Sequence, residues 1–535
     1  MKKALIIFSI LLVGAVGFIL YYFYNDTKDP YVQACDYTVP ESEIPTFTEL
    51  ATPFTHHFDD TRSLPMLAAV LIDMDGDGVD EIFAGGGNDQ PDGFLKYTNG
   101  SLVDLASTVL PQSGKGEYPS LGAVAADLDN DGKTDLIVCR TNGVFFYKNE
   151  GETFSSRKLD IVFNEKSTPL SLTLGDINKD GYLDMYVAAY IKVELMKGQT
   201  IFTDRTYGAT SLLLLNNGDL TFKDVTVAYG LDYIHNTFQG ILADVNEDGW
   251  LDLIVAHDTG EVRTYRNKEG QSFEMMSNPT TGKFSYPMGI AAGDYNNDGT
   301  IDFFFSNTGS SIPEFIARGD LKDDQIFIKE WMLFQYVKGK GFMDVARPAK
   351  LANFEFSWGA IFEDFNLDGL QDLAVAENYI AFPPQQAFKL PCRLLVQREN
   401  GTFAAVEEQA KAENRNFAIT PLSTDLNQDG YPDLIYSNLD GPMKVFLSNG
   451  GTSNYVKVSM TKNATSLGAK VEVQAGGKIY TQHLLSGEGL CSDQGQTLIF
   501  GLGQQAEIER LVIYYPSGKV DSVQDATINK RYFID

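Results

Sequence analysis

The chain has 535 residues, 72 Asp+Glu against 42 Lys+Arg, a formal net charge of -30, 5 His and 4 Cys. Its length exceeds what one hydrophobic core supports and indicates several modules or one large repeat architecture, while 43% apolar content excludes disorder. The acidity excludes a nucleic-acid partner, the few histidines leave no room for zinc clusters, and no Cys-x-x-Cys-His is present for covalent haem.

The first predicted element is an apolar run from Ala4 to Tyr24, with Lys2 and Lys3 before it and Asp26 and Asp29 after it. At about 1.5 Å per residue it makes a helix about as long as the bilayer core is thick. The basic side predicts a cytoplasmic start, with Tyr21, Tyr22 and Tyr24 at the far interface. The run is longer than a signal-peptide core and no Ala-x-Ala site closes it, so residues 1–30 are read as an uncleaved signal anchor. The competing readings are a cleaved signal peptide and a lipoprotein processed at Cys35. All three place the main body in the periplasmic or extracellular space, membrane-anchored in the first reading and secreted if the segment is cleaved. Cys35, Cys139, Cys392 and Cys491 can oxidise there, but four scattered cysteines do not make a disulfide scaffold.

Residues 31–453 hold seven copies of one loop. The first places Asp73, Asp75, Asp77 and Glu81 around Gly78, and the second Asp127, Asp129, Asp131 and Asp135 around Gly132. The third has Asp176, Asn178, Asp180 and Asp184, and the fourth Asp244, Asn246, Asp248 and Asp252. The fifth has Asp294, Asn296, Asp298 and Asp302. Asp364, Asn366, Asp368 and Asp372 form the sixth, and Asp425, Asn427, Asp429 and Asp433 the seventh. Oxygens at positions 1, 3 and 5 can point into one curled loop, Gly at position 6 permits the turn, and position 9 returns a carboxylate. That is a hard-oxygen cage suited to Ca²⁺. Asp, Asn and Gly are also good turn formers, but a turn needs one or two of them, not four at fixed offsets in seven copies. By charge count the first two loops should bind calcium most tightly, and the others on the order of 10⁻⁴–10⁻³ M.

The flanks read as strands, not the helices of an EF-hand: Ser120–Ala126 leads into a loop, while Leu136–Cys139, Leu253–Ala256 and Phe303–Phe305 leave loops. Third strands such as Val144–Tyr147 and Leu212–Leu215 follow, then an Asn-Gly turn such as Asn217-Gly218 and a fourth strand. Four short antiparallel strands repeated seven times, with start-to-start spacings of 54, 49, 68, 50, 70 and 61 residues, predict an all-β, seven-bladed propeller. The seventh repeat lacks its fourth strand, and Phe47-Thr-Glu-Leu50 matches Phe222–Val225 and Phe342–Val345, which end other repeats. Phe47–Leu50 is therefore expected to be the outer strand of the last repeat. Residues 454–535 alternate apolar and polar positions between Gly turns and predict a small β-rich domain.

The repeats resemble FG-GAP/VCBS repeats, as in integrin α-chain propellers, over roughly residues 45–450. The tail, with Ser486-Gly-Glu-Gly489 and Tyr515-Pro-Ser-Gly518, resembles the ASPIC/UnbV domain that follows such repeats in cartilage acidic protein and its bacterial relatives. Trp more often precedes that Pro-Ser-Gly. The resemblance implies calcium in the loops, a propeller used in adhesion or recognition, and a tail that is either a packing cap or a separate binding unit.

No nucleophile elbow, P-loop or His-Glu-x-x-His is present, and His56, His57, His235, His257 and His483 are spread along the chain. The expectation is therefore not an enzyme. It is an exported, membrane-anchored calcium-binding recognition or adhesion protein with a protein or glycan partner. An envelope hydrolase and a structural subunit of a membrane assembly are the alternatives. The long insertions near residues 189–210, 307–333 and 377–391 join second to third strands, on the face away from the loops. Their aromatics, Tyr190, Phe202, Tyr207, Phe315, Trp331, Tyr379, Phe382 and Phe388, are expected to be exposed partner contacts.

Overall fold

The computed structural model describes residues 38–111, 118–309, 312, 314–379 and 389–534. The predicted anchor over residues 1–30 and Cys35 lie outside these residues. Among the described residues, no helix is long and apolar enough to cross a membrane.

Among the described residues, seven antiparallel sheets share one design, each with an Asp loop between its first and second strands. The first strands are Ala69–Ile72, Ser120–Ala126, Ser167–Gly175, Thr237–Ala243, Ile290–Gly293, Ser357–Glu363 and Phe417–Thr424. Second strands begin at position 9 of each loop, as in Asp135–Arg140, Asp252–His257 and Asp302–Phe305. Each first strand packs against that of the next sheet, and the seventh against the first, an arrangement consistent with propeller-like repeats. Burial explains the sequence pattern. Asp135–Arg140 is buried along its whole length, so its apolar residues do not alternate, whereas the outermost strand Phe154–Lys158 buries only Phe154. Neighbouring first strands approach so closely that a Cβ on Gly122 would lie 2.2 Å from the Leu170 carbonyl oxygen.

Phe47–Leu50 pairs antiparallel with Lys444–Ser448 and completes the seventh sheet, as expected. Phe47 is 1% exposed and meets Phe365 edge-on at 6.1 Å. Phe47→Ala is expected to cost about 3–5 kcal/mol, measured as a shift in the denaturation midpoint; a change below 1 kcal/mol would mean that this strand does not hold the chain ends together.

The tail forms a three-stranded sheet (Thr497–Gly503, Asn454–Met460, Lys530–Ile534) and a four-stranded one (Lys478–His483, Lys470–Ala475, Arg510–Tyr514, Val520–Val523). The segment between them, Ser486–Asp493, runs in among the first strands of the repeats. Ser492 and Asp493 pair in parallel with Ala69 and Val70, and Gly489 exchanges backbone hydrogen bonds with Ile290 at 2.9 and 3.0 Å. Thr173 donates to the Ser486 carbonyl at 2.7 Å, Ala125 N–H to Asp493 at 3.0 Å, and Cys491 N–H to Gln239 at 3.2 Å. Thr420 and Ser492 share a 3.0 Å hydroxyl contact. Leu490 and Cys491, both fully buried, join a core with Leu67, Leu121, Leu170, Phe238 and Trp358. Of the two readings of the tail, the packing cap is the one this arrangement supports. Cys139, Cys392 and Cys491 are free and buried.

Candidate cation loops and the two faces of the repeats

Each loop is held open by its own backbone. In the second, Asp127 accepts the N–H groups of Asp131 at 3.0 Å and Gly132 at 2.9 Å, and Asp425 does the same with Asp429 and Gly430 at 3.0 and 2.8 Å. Position 6 needs glycine, since φ is +86° at Gly132 and +102° at Gly430. Position 4 is also left-handed, although Asn130, Lys179, Glu247, Asn297, Leu367 and Gln428 fill it. The position-9 carboxylate ties three elements together. Asp184 accepts N–H from Ile177 in the loop and from Asn216 on the third strand, both at 3.0 Å, and Asp433 accepts from Leu426 and Ser448 at 2.8 and 2.7 Å.

The expected ligands are brought together. Asp73, Asp75 and Asp77 place oxygens within 4.8 Å of one another, as do Asp127, Asp129 and Asp135. In the other five loops, Asn178, Asn296, Asn366 and Asn427 bond the position-5 Asp at 2.9 to 3.1 Å, while Asn246 bonds Asp252 at 3.1 Å. Burial pushes the carboxyls of Asp184 and Asp252 up to about 8, Asp302 to about 9, and Asp294 and Asp433 to about 7. Asp302 Oδ2 is buried without a hydrogen-bond partner. Negative charge that is desolvated and uncompensated is what a hard divalent ion neutralises, so these donors fit calcium.

The first two loops differ, and the sequence reading missed why. One third-strand position lies across from the residue that opens the second strand, and its side chain reaches the loop carboxylates where it is Lys96, Lys148, Arg266 or Gln335. It holds Lys96, Lys148, Leu215, Arg266, Gln335, Val396 and Leu447 in the seven sheets. Lys96 Nζ lies 2.7 Å from Asp75, 3.3 Å from Asp77 and 2.6 Å from Glu81. Lys148 Nζ contacts Asp129 and lies 2.5 Å from Asp131. These two ammonium groups each bridge two or more carboxylates of one cage, whereas Arg266 and Lys457 each pair with a single loop carboxylate, and this opposes the ordering by acid count. Arg266 reaches only Asp248, at 2.8 Å. Lys96→Met with Lys148→Met is expected to raise calcium affinity at those loops at least about tenfold, because a tethered cation beside a divalent ion costs on the order of 1–4 kcal/mol. Calorimetric titration checks this, and unchanged affinity would show that the lysines swing aside freely.

The tail lies over the loop face. Arg531 donates to the Gly78 carbonyl, Gln496 to Asp73 at 3.2 Å, and Lys457 pairs with Asp425 in a buried contact. Asp127 N–H donates to the Lys462 carbonyl at 2.8 Å, Gly503 N–H to that of Leu367 at 2.8 Å, and Lys470 pairs with Glu247 at 2.7 Å.

The opposite face carries the insertions between second and third strands, as expected, but most of their aromatics are not exposed. Trp331 is 0%, Tyr379 5% and Tyr190 7% exposed, and Phe202 and Tyr207 are partly buried. Trp331 stacks on Phe354 at 4.8 Å, and Phe202 packs against Phe284, Tyr286 and Phe327, so the rings hold the loops down. Phe382, Phe388 and the Phe315 side chain lie outside the described residues. Among the described residues, the exposed large apolar side chains of these insertions are Leu195, Met196, Ile316 and Ile326.

Residues 73–138, 127–187 and 244–305 match the FG-GAP-like repeat, and residues 459–535 match the ASPIC and UnbV family. The chain thus carries FG-GAP-like repeats followed by an ASPIC and UnbV domain. Among named proteins it is similar to cartilage acidic protein 1: 23% identical over 420 residues to that of Xenopus tropicalis, covering 64% of this chain and 62% of that protein. With the Mus musculus protein it shares 24% identity over 494 residues, covering 84% and 70%. The matched stretch is therefore under two thirds of the frog protein's length. A solved lectin of Agrocybe aegerita, which recognises non-reducing terminal N-acetylglucosamine, aligns at 17% identity and a TM-score of 0.41 over 70% of this chain and 93% of its own.

Proposed function

We propose that the chain is an exported, membrane-anchored calcium-binding recognition or adhesion protein built on a seven-bladed propeller. The seven sheets are its blades, and Ca²⁺ is held by the Asp/Asn oxygens of the third to seventh loops. The tail is its cap. The observation that carries this reading is the division of faces: the tail covers the Asp loops, leaving the insertion face for a protein or glycan partner in the envelope or extracellular space. Propellers present ligands on one end of the ring, and repeat proteins gather insertions on the face they use.

The test is adhesion of beads coated with the full-length chain to protein and glycan arrays, with and without calcium. Met196→Glu with Ile316→Glu is expected to lower retention at least about tenfold with an unchanged melting temperature, as loss of central apolar contacts does. Undiminished retention would remove the insertion face from the reading. The anchor predicts an intact amino terminus, and terminal sequencing that finds a start near residue 25 or 30 would establish cleavage instead.

A further inference from the structure

On the insertion face, the mouth between the first strands opens into a cavity of about 680 Å³. Its floor lies over the core that contains Leu490 and Cys491 of the tail, and its walls include Tyr190, Phe238, Tyr286 and Trp358. Two insertions roof it. Asp320 of one accepts hydrogen bonds from Phe202 N–H at 2.6 Å and from Thr203 of the other, fixing Thr200 and Ile201 over the opening. The volume suits a small organic molecule, and the lining is mostly apolar.

Most polar groups of this lining are already engaged. Tyr286 O–H donates to the Ala317 carbonyl at 2.6 Å, Trp358 Nε1–H to Asn378 at 3.1 Å, and Thr259 to the Ile201 carbonyl at 3.1 Å. Asn236 accepts from Ile191 N–H at 3.0 Å. Asp258 differs: it accepts a hydrogen bond from Tyr190 O–H, and among the described residues no Lys, Arg or His lines the cavity. Burial pushes its carboxyl up to about 6, with no cation beside it to oppose the shift. The walls also carry aromatic rings, whose π-systems attract positive charge. Anions are excluded by this field, and a sugar would find few free partners for its hydroxyls. A positive charge on an apolar body satisfies both the carboxylate and the rings.

We propose that this cavity binds an organic cation, a primary or quaternary amine set against Asp258 among Tyr190, Tyr286, Phe238 and Trp358, with its apolar body against Met66, Met288 and Ile316. The proposal rests on the insertion face being the recognition face and assigns that face a ligand chemistry.

The test titrates the full-length chain by calorimetry with benzyltrimethylammonium and phenethylamine, and with their neutral counterparts neopentylbenzene and 2-phenylethanol. The cations are expected to saturate one site and to bind at least about tenfold more tightly than the neutral compounds, as charge against a desolvated carboxylate and aromatic faces requires. Asp258→Asn keeps an acceptor for Tyr190 and is expected to remove that preference without moving the melting temperature. Equal binding of cation and neutral probe, an unchanged preference in Asp258→Asn, or no saturable binding up to millimolar concentration would each overturn the proposal. Adhesion that still depends on Met196 and Ile316 would then leave the broader function standing.

Discussion

Truncation after Ser453 is expected to unfold the repeats rather than release a folded ring. The segment Ser486–Asp493 bonds to first strands of six sheets, and its removal would expose a buried core while leaving the donors of Thr173 and Ala125 without partners. The most informative single change is Asp493→Ala. Asp493 is 0% exposed and receives the Lys462 ammonium and Gly487 N–H, both at 2.8 Å, and Ala125 N–H at 3.0 Å. Removing it leaves the Lys462 charge buried without its carboxylate, at a cost of about 3–5 kcal/mol, or roughly 3–5 °C in melting temperature for a chain of this length. Calorimetric scans of both variants check this. A truncated chain that melts within a few degrees of the full one would show that the tail merely decorates the ring.

Calcium removal is expected to have a comparable effect, on the order of 1–3 kcal/mol for each loop occupied at 10–100 times its dissociation constant. The pH dependence gives it a sign. Burial holds Asp184 and Asp252 at about 8 in the folded, metal-free chain, above their unfolded values. The folded state then binds more protons than the unfolded one, so metal-free stability falls as pH rises from about 4 to about 8. Calcium takes the place of those protons, and its affinity rises over the same window. The drop in melting temperature on adding chelator should therefore be larger at pH 8 than at pH 5. A drop that is equal or reversed would mean that these carboxylates do not meet the ion.

The sheets were legible because their inner strands are buried on both sides and write themselves as unbroken apolar runs, as in Leu136–Cys139 and Leu253–Ala256. Phe47–Leu50 was legible by repetition, since its pattern completes a repeat that lacked an outer strand. The route of Ser486–Asp493 was not, because Ser-Gly-Glu-Gly reads as an ordinary turn and its partners lie hundreds of residues away. Lys96 and Lys148 escaped notice for a related reason. Their role depends on pairing across the sheet, and a lysine on a strand otherwise reads as solvent-facing. The aromatics of the insertions misled because long loops on a large ring bury their own rings, as Trp331 does against Phe354.

The measurement that bears most directly on the loops as cation cages is the number of calcium ions bound per full-length chain, by equilibrium dialysis and elemental analysis at saturating calcium. The loop geometry predicts about five, in the loops without a lysine from the third strand, rising to about seven in Lys96→Met with Lys148→Met. A chain that binds none, and whose melting temperature ignores chelator at low salt, would contradict it.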